Sequence, residues 1–232
     1  MYLSRLVLNR AKRDVQRDLG SLYELHRTLM RGFPDAAEGG AGRVLFRLEI
    51  SREEEGEAAV LVQSEHKPTW DGLRNGGYLL AAVTKPVVYA AVGQNTPADD
   101  TVMLRSGEMF RFRLVANPTI KKRVDGKKNG RRDACVTEPQ QIAWLVRKGE
   151  GAGFRLPGSS DSDGSEGNGV YVVPLGRHQS SRGSQQEQLC HFGVRFEGVL
   201  QVTDPDLFIK ALEFGVGSGK AFGYGLLSIA RM

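Results

Sequence analysis

Near its C-terminal end the chain reads Gly215-Val-Gly-Ser-Gly-Lys-Ala-Phe-Gly-Tyr-Gly225, and the apolar run Leu226-Leu-Ser-Ile-Ala230 follows at once. Alternating glycines permit positive φ angles and let backbone N–H groups approach a bulky anion, while Lys220 adds positive charge. The stretch differs from a P-loop, because no Ser or Thr follows Lys220 and a strand-like run, not a helix, comes next. We call residues 215–225 the glycine loop and predict a phosphate-binding connection between a helix and a strand.

The elements around the glycine loop repeat one order. In the C-terminal half, alternating and 3.6-residue apolar patterns predict β-α-β-β-α-β, and Asp204 followed by Pro205 marks the start of the last helix. The predicted strands cover 109–115, 170–173, 192–202 and 226–230, and the predicted helices cover 137–148 and 205–214.

The N-terminal half shows the same order. Its predicted strands cover 2–8, 44–50, 58–64 and 84–91, with helices from Leu22 and over 68–74. Two successive units predict an α+β fold of tandem ferredoxin-like, RRM-like (βαββαβ) domains. We expect an N-terminal domain over 1–92, a linker over 93–106 and a C-terminal domain over 107–232.

The first long helix carries the candidate acid–base group. Ser21 and Glu24 form a capping-box pattern, and the helix buries a stripe of leucines. His26 falls at the edge of this stripe, beside Tyr23 and Arg27. A boundary histidine that merely covers the core is one interpretation. An imidazole that titrates near neutrality, grouped with a phenol and a guanidinium, is also typical of general acid–base catalysis.

Composition narrows the classes of function. The chain has 232 residues, 40% hydrophobic and 25% charged, with no apolar run of membrane-spanning length, so we expect a cytoplasmic protein without membrane contact. Cys135 and Cys190 lack paired spacing, which favours simple thiols over a disulfide or zinc site. Histidines and carboxylates lack the spacing of a zinc site or of an acid pair, so we expect no metal. No Gly-x-Ser-x-Gly elbow occurs, which disfavours a serine hydrolase, and we expect no cofactor.

Positive charge is concentrated in one predicted loop, residues 121–132. A solvated charged surface and a clamp on a polyanion both fit such a loop, and its density favours the clamp. A second polar loop, 176–188, carries Arg177 and Arg182. The clamp candidates in the first loop are Lys121, Lys122, Arg123, Lys127, Lys128, Arg131 and Arg132.

Several stretches in order resemble the CasE family, the CRISPR RNA-processing endoribonucleases of type I-E systems. They span nearly the whole chain, which makes the resemblance far more specific than any single stretch. The stretches are Met1-Tyr-Leu-Ser-Arg-Leu6, Tyr23-Glu-Leu-His26, Phe112-Arg-Leu-Val-Ala-Asn-Pro118, Gln141-Ile-Ala-Trp-Leu145, Phe196-Glu-Gly198 and Gly217-Ser-Gly-Lys-Ala-Phe-Gly-Tyr-Gly-Leu-Leu227.

The resemblance implies a metal-independent endoribonuclease that binds the stem-loop of CRISPR repeat RNA and cuts at the 3′ base of the stem. The 2′-OH would attack the adjacent phosphate, leaving a 2′,3′-cyclic phosphate and a 5′-OH. His26 matches the family's catalytic histidine, and Tyr23 matches the tyrosine beside it. The candidate for a third, cationic contributor is Arg27 or a basic residue of the loop from Arg177 to Arg182. The product would stay bound within Cascade, and outside that complex we expect a monomer.

On this interpretation the glycine loop meets RNA backbone, with Gly217, Gly219, Lys220, Gly223 and Gly225 as candidate contacts. Two other classes of function remain open from the residues alone. One is an RNA-binding structural subunit without catalysis, in which His26 only covers the core. The other is a nucleotide-dependent enzyme that uses the glycine loop, which the missing helix disfavours.

Overall fold

A computed structural model describes residues 1–35, 37, 39–50, 56–93, 101–122, 131–158, 169–182 and 187–232. For residues 122, 131, 178–182 and 187–190 the backbone alone is described. Within these ranges the chain forms two units of β-α-β-β-α-β order, so the predicted tandem ferredoxin-like fold is confirmed.

The first unit is a four-stranded antiparallel sheet with its helices packed on it. Leu6, Leu25 and Phe46 are wholly buried in its core. Its elements are β1 (Tyr2–Leu8), α1 (Arg13–Leu19), α2 (Leu22–Met30), β2 (Val44–Ile50), β3 (Ala58–Ser64), α3 (Asp71–Asn75) and β4 (Leu79–Pro86). The sheet order is β2-β3-β1-β4, which is the ferredoxin-like strand order.

The second unit repeats this plan. Its elements are β7 (Met109–Ala116), α4 (Glu138–Glu150), β10 (Phe154–Arg155), β11 (Val170–Arg182), β12 (Glu187–Val202), α5 (Pro205–Phe214) and β13 (Leu227–Arg231), and a hairpin of β8 (Thr119–Lys122) and β9 (Arg131–Ala134) stands apart. The sheet order is β10-β12-β7-β13, with β11 also paired to β12. The glycine loop joins α5 to β13, as predicted.

The structure differs from the sequence-based description at four points. It adds α1, which no pattern predicted, and which turns Val15 and Asp18 into the core from otherwise exposed surroundings. The predicted strand 84–91 is interrupted, since β4 ends at Pro86 and β5 (Val88–Ala91) pairs in parallel with β6 (Thr101–Leu104). Within the predicted polar loop 176–188, residues 176–182 and 187–188 are strand, and their polar side chains concealed the period-two pattern. The helix predicted over 68–74 is the shorter α3.

The C-terminal part of the segment predicted as a linker, strand β6, packs on the second core. Leu104 of β6 is fully buried there, and Tyr89 of β5 packs against the same cluster. The boundary at residues 93–106 stays a prediction, although β6 lies within it.

The two units are joined by side chains of the first sheet that reach carbonyls of the second unit. Arg47, 3% exposed, donates from Nη1 to the carbonyls of Arg113 and Leu226, both at 3.2 Å, and to Ser228 Oγ at 2.9 Å. Gln63 Nε2 donates to Leu212 O at 2.7 Å. These buried contacts fix one sheet against the other, which positions α2 against the glycine loop.

Candidate active site

Helix α2 presents the predicted acid–base group, and its start is only half of a capping box. Ser21 Oγ accepts the backbone N–H of Glu24 at 3.4 Å. A full capping box would also have the Ser21 N–H donate to the Glu24 carboxylate. Here the Ser21 N–H donates to the carbonyl of Asp18 at 3.1 Å instead, and the Glu24 carboxylate pairs with Arg27 at 3.1 Å. The predicted reciprocal cap is therefore wrong, while the predicted helix start at Leu22 is confirmed.

A buried carboxylate anchors α2 to the rest of the first unit. Asp18 is 0% exposed, and its Oδ2 accepts hydrogen bonds from Thr28 Oγ1 at 2.6 Å and from the Tyr78 hydroxyl at 2.9 Å. Its Oδ1 accepts from Arg17 Nε at 2.9 Å. Burial, together with the bond to Asp18, raises the pKa of Tyr78. Because Thr28 lies on α2, this network fixes the helix that carries the site.

His26 is half-buried, with one ring nitrogen inside the protein. Its imidazole stacks on Phe46 with ring centroids 5.8 Å apart and planes 10° apart. Within the described part of the chain, Nδ1 is buried and has no hydrogen-bond partner. Burial lowers the pKa of His26 below its ordinary value. The imidazole is therefore neutral at neutral pH, and Nε2 is the nitrogen that a substrate can meet.

Tyr23 lies one helical turn before His26 and packs on the second unit. Its ring centroid is 6.0 Å from that of Phe222, with the planes inclined by 32°. Arg27 is exposed and is paired with Glu24. The structure therefore brings Tyr23 and His26 together beside the glycine loop and leaves Arg27 at the rim with its charge partly compensated.

The glycine loop owes its glycines to close packing. Gly219 and Gly223 bracket a short 3₁₀ turn, and both have left-handed φ angles, +83° and +76°. A Cβ on Gly223 would lie 3.1 Å from Phe46, the ring that supports His26. Gly223 and Gly225 are buried, whereas Gly217, Gly219 and Lys220 are half-buried. The loop thus braces α2, and its half-buried part includes the segment from Gly217 to Lys220.

A second histidine, which no local sequence pattern singles out, lies behind the glycine loop. His191 of β12 packs its ring 4.4 Å from Phe222 and 5.7 Å from Tyr224. Its Nδ1 is 3.0 Å from Nδ2 of Asn117, the residue that follows β7. Pairing of β12 with β7 brings these side chains together, a contact across 74 residues that local patterns do not reveal.

Basic residues line a cavity of about 500 Å³ between the β8–β9 hairpin, α4 and the glycine loop. We call it the basic cavity. Two of its lysine and arginine side chains, Lys121 and Arg132, were predicted from the charged loop, whereas Arg147 and Lys148 come from the last turn of α4. Trp144, Gly217 and Ser218 also line it. A helical charge pattern alone gave no indication that α4 faces the loop.

The structure describes the surroundings of only some of the remaining predicted RNA-binding residues. Arg177 is exposed on β11, and Lys220 has a lowered pKa because it is partly buried and lies near Arg43. Lys122, Arg131 and Arg182 lie on strands whose side chains there are not described, and Arg123, Lys127 and Lys128 lie outside the described residues.

Within the described ranges, no group of three or more His, Cys, Asp or Glu side chains has the arrangement of a metal site. No helix in those ranges is long and apolar enough to cross a membrane. Cys135 is buried, which raises the pKa of its thiol, and it forms no disulfide.

Comparisons with known proteins match the whole chain. A family model described as "CRISPR associated protein" matches residues 1–231. The chain is 38% identical to the CRISPR-associated endoribonuclease Cse3 of Thermus thermophilus over 99% of its length and 100% of the relative's. It is 32% identical to the CRISPR system Cascade subunit CasE of Escherichia coli, covering 100% of both chains. A structure of Cse3 bound to a 19-nucleotide RNA superimposes with a TM-score of 0.76 at 37% identity, covering 100% of both chains.

Proposed function

Because the chain belongs to the CasE (Cse3) family of CRISPR-associated proteins, we propose that it is an endoribonuclease acting on CRISPR repeat RNA. It binds the stem-loop, cuts at the 3′ base of the stem without a metal ion, and stays on the mature RNA as a subunit of Cascade. The observation that carries this proposal is the placement of Tyr23 and a half-buried, neutral His26 side by side at the glycine loop.

The chemistry proceeds on the RNA's own 2′-oxygen. His26 Nε2 accepts the 2′-OH proton while the 2′-oxygen attacks the adjacent phosphorus, the bond from phosphorus to the 5′-oxygen breaks, and the leaving 5′-oxygen takes a proton from water to become the 5′-OH. The lowered pKa supports this direction of transfer, because an imidazole that is neutral at pH 7 is ready to accept a proton. The Tyr23 hydroxyl donates a hydrogen bond to a phosphate oxygen and stabilises the charge that develops there.

The basic cavity supplies positive charge for the RNA backbone. Lys121, Arg132, Arg147 and Lys148 surround it, and its wall includes Gly217 of the glycine loop, whose other end packs on Phe46 beside His26. A-form RNA presents phosphates and 2′-hydroxyls rather than readable base edges, so clustered cations are well suited to it. We therefore place the phosphates flanking the cleavage point along the loop.

Cleavage of a labelled repeat stem-loop in EDTA tests the reaction. We expect a 2′,3′-cyclic phosphate product from the ribose substrate and no cleavage when the scissile nucleotide is 2′-deoxy. Cutting of the deoxy substrate would rule out attack by the 2′-oxygen, and loss of all cleavage in EDTA would contradict metal independence.

Two histidine variants test the catalytic assignment. His26→Ala should abolish cleavage and retain RNA binding, while His66→Ala, which removes an exposed histidine of the same unit, should cut normally. A substrate with sulfur in place of the leaving 5′-oxygen separates base from acid, because sulfur leaves without protonation. The base role predicts that this substrate does not rescue His26→Ala, and full rescue would assign His26 as the acid.

A binding subunit without catalysis is the second candidate. The observation that favours it is the stacking of His26 on Phe46, which a purely structural histidine would also show. Tight RNA binding by the wild-type chain with no cleavage product would select this candidate.

A further inference from the structure

We propose that Asn117, His191 and Phe222 form a positioning unit that fixes the Tyr23 ring and aims its hydroxyl at the scissile phosphate. The inference rests on the proposed function for the role of Tyr23, but the geometry of the unit stands independently of it. The three side chains belong to the second unit, whereas Tyr23 belongs to the first. These three side chains therefore make the position of the Tyr23 ring, in the first ferredoxin-like unit, depend on how the second unit packs against it.

Hydrogen bonds to Asn117 select one form of His191. Oδ1 of Asn117 accepts the backbone N–H of Phe192 at 3.1 Å. A backbone N–H can only donate, so the amide orientation is fixed and Nδ2 is the group that faces His191 Nδ1 at 3.0 Å. Nδ2 donates, so Nδ1 must accept. His191 is consequently the neutral tautomer that carries its proton on Nε2, with its ring plane set by the Asn117 bond.

The ordered imidazole then holds the ring of Phe222. The His191 and Phe222 centroids lie 4.4 Å apart, and the Phe222 and Tyr23 centroids lie 6.0 Å apart. Both distances are at or within the range in which aromatic rings attract one another. Phe222 is thus in contact with the imidazole of β12 and with the phenol of α2. A change in the imidazole would be passed to the phenol through this single ring.

The backbone of the glycine loop is shaped around the same rings. Phe222 lies in the 3₁₀ turn between two left-handed glycines, Gly219 and Gly223. A Cβ on Gly219 would lie 3.0 Å from Tyr224 and 3.8 Å from the His191 ring. The left-handed φ and the 3.0 Å approach to Tyr224 favour glycine at this position, and the turn that it permits sets where Phe222 points.

His191 acts by positioning and not by proton transfer to RNA. Its Nδ1 faces the Asn117 amide, and its Nε2 is a buried atom that solvent does not reach. Neither nitrogen can meet a substrate. The expected signature is therefore a lower rate of the chemical step with unchanged RNA affinity, because the rings order a group that acts in the transition state.

A double-mutant cycle with single-turnover cleavage at saturating protein measures the coupling. We expect Phe222→Leu to lower the rate by about tenfold or more while the Kd for the stem-loop changes by less than about twofold. In a Tyr23→Phe background, which lacks the hydroxyl, the same change should have less than about a twofold effect. Equal effects in both backgrounds, or a loss confined to Kd, would overturn the proposal.

Phe110→Leu is the matched control for loss of an aromatic ring. Phe110 is 1% exposed in the second core and packs on Phe208, so its loss should destabilise the second unit at least as much as Phe222→Leu. We expect Phe110→Leu to cut at the wild-type rate at a temperature where both variants are folded. An equal rate loss in Phe110→Leu would mean that general loosening explains the effect.

Nitrogen-15 NMR of the histidine rings tests the geometry without any reaction. We expect His191 to show an unprotonated Nδ1 and a protonated Nε2 in the wild-type chain. Asn117→Asp should reverse this pattern, because a carboxylate accepts from both the Phe192 N–H and a protonated Nδ1. A protonated Nδ1 in the wild-type chain would refute the proposed positioning role of Asn117, His191 and Phe222, even if the chain cleaves RNA. If His191 shows the expected tautomer but the chain does not cleave RNA, only the proposed function is refuted.

Discussion

Removing the Arg47 guanidinium should lower the free energy of unfolding and let the two ferredoxin-like units unfold separately. Its Nη1 donates to two carbonyls and one hydroxyl of the second unit, and the side chain is 4% exposed. Hydrogen bonds from a charged donor contribute about 1.5–3 kcal/mol each, so three such bonds set an upper limit of roughly 5–9 kcal/mol. Water can refill the space that Arg47→Ala leaves and solvate the freed carbonyls. The partner Glu49 is one-third exposed and keeps Arg113 at 3.1 Å. We therefore expect a loss of about 3–5 kcal/mol, the usual cost of breaking a buried pair.

The two tryptophans make the assay specific to each unit. Trp70 lies in the first core and Trp144 in the second, so single-tryptophan variants report the unfolding of each unit in urea by fluorescence. In the parent chain the two transitions should coincide. In Arg47→Ala the total free energy of unfolding should fall by about 3–5 kcal/mol, and the two transitions should move apart.

Arg5→Ala is the control for an ion pair at the surface. Arg5 pairs with Glu57, but its side chain is 54% exposed, so its removal should cost less than about 1 kcal/mol and leave the two transitions together. An Arg47→Ala variant that loses no more stability than Arg5→Ala would refute the conclusion that buried donors join the units.

Three further predictions concern the site. Gly223→Ala should be destabilised by about 1–2 kcal/mol or more and lose most cleavage, because a left-handed φ and a Cβ contact at 3.1 Å combine there. The control is Gly93→Ala, where φ is +101° and a Cβ would have nothing within 4 Å. It should lose stability only through backbone strain and retain cleavage. Tyr78→Phe should lower the free energy of unfolding by about 1–3 kcal/mol, measured in urea, since it removes one hydrogen bond from buried Asp18. The depressed pKa of His26 means that the unfolded chain binds more protons below pH 6.5, so stability should fall as pH drops from about 6.5 towards the folded-state pKa. Comparison of urea unfolding at pH 5–8 should show a weaker fall in His26→Gln, and an identical pH dependence in both chains would contradict the buried, neutral imidazole.

Local sequence patterns predicted most of the elements because their causes are local. Asp204 caps α5 through the N–H of Leu207 at 3.0 Å, and Pro205 begins the helix, as the sequence indicated. The pairing of Tyr23 with His26 also follows from helix geometry, since residues three apart share one face. Polar side chains obscured the pattern in some missed elements, such as the strand residues 176–182 and 187–188.

The sequence by itself determined the fold class, the helix that carries His26 and Tyr23, and the position of the glycine loop, because periodicity, capping and glycine content act over a few residues. Only the tertiary structure decided what the loop contacts. Asn117 and His191 are 74 residues apart, yet strand pairing places them in one hydrogen bond behind Phe222. Burial was decided in the same way, because the pKa of His26 falls only when the chain encloses its Nδ1 and stacks its ring on Phe46. Desolvation and contacts across the two units depend on the packed chain, and no short stretch of sequence contains them.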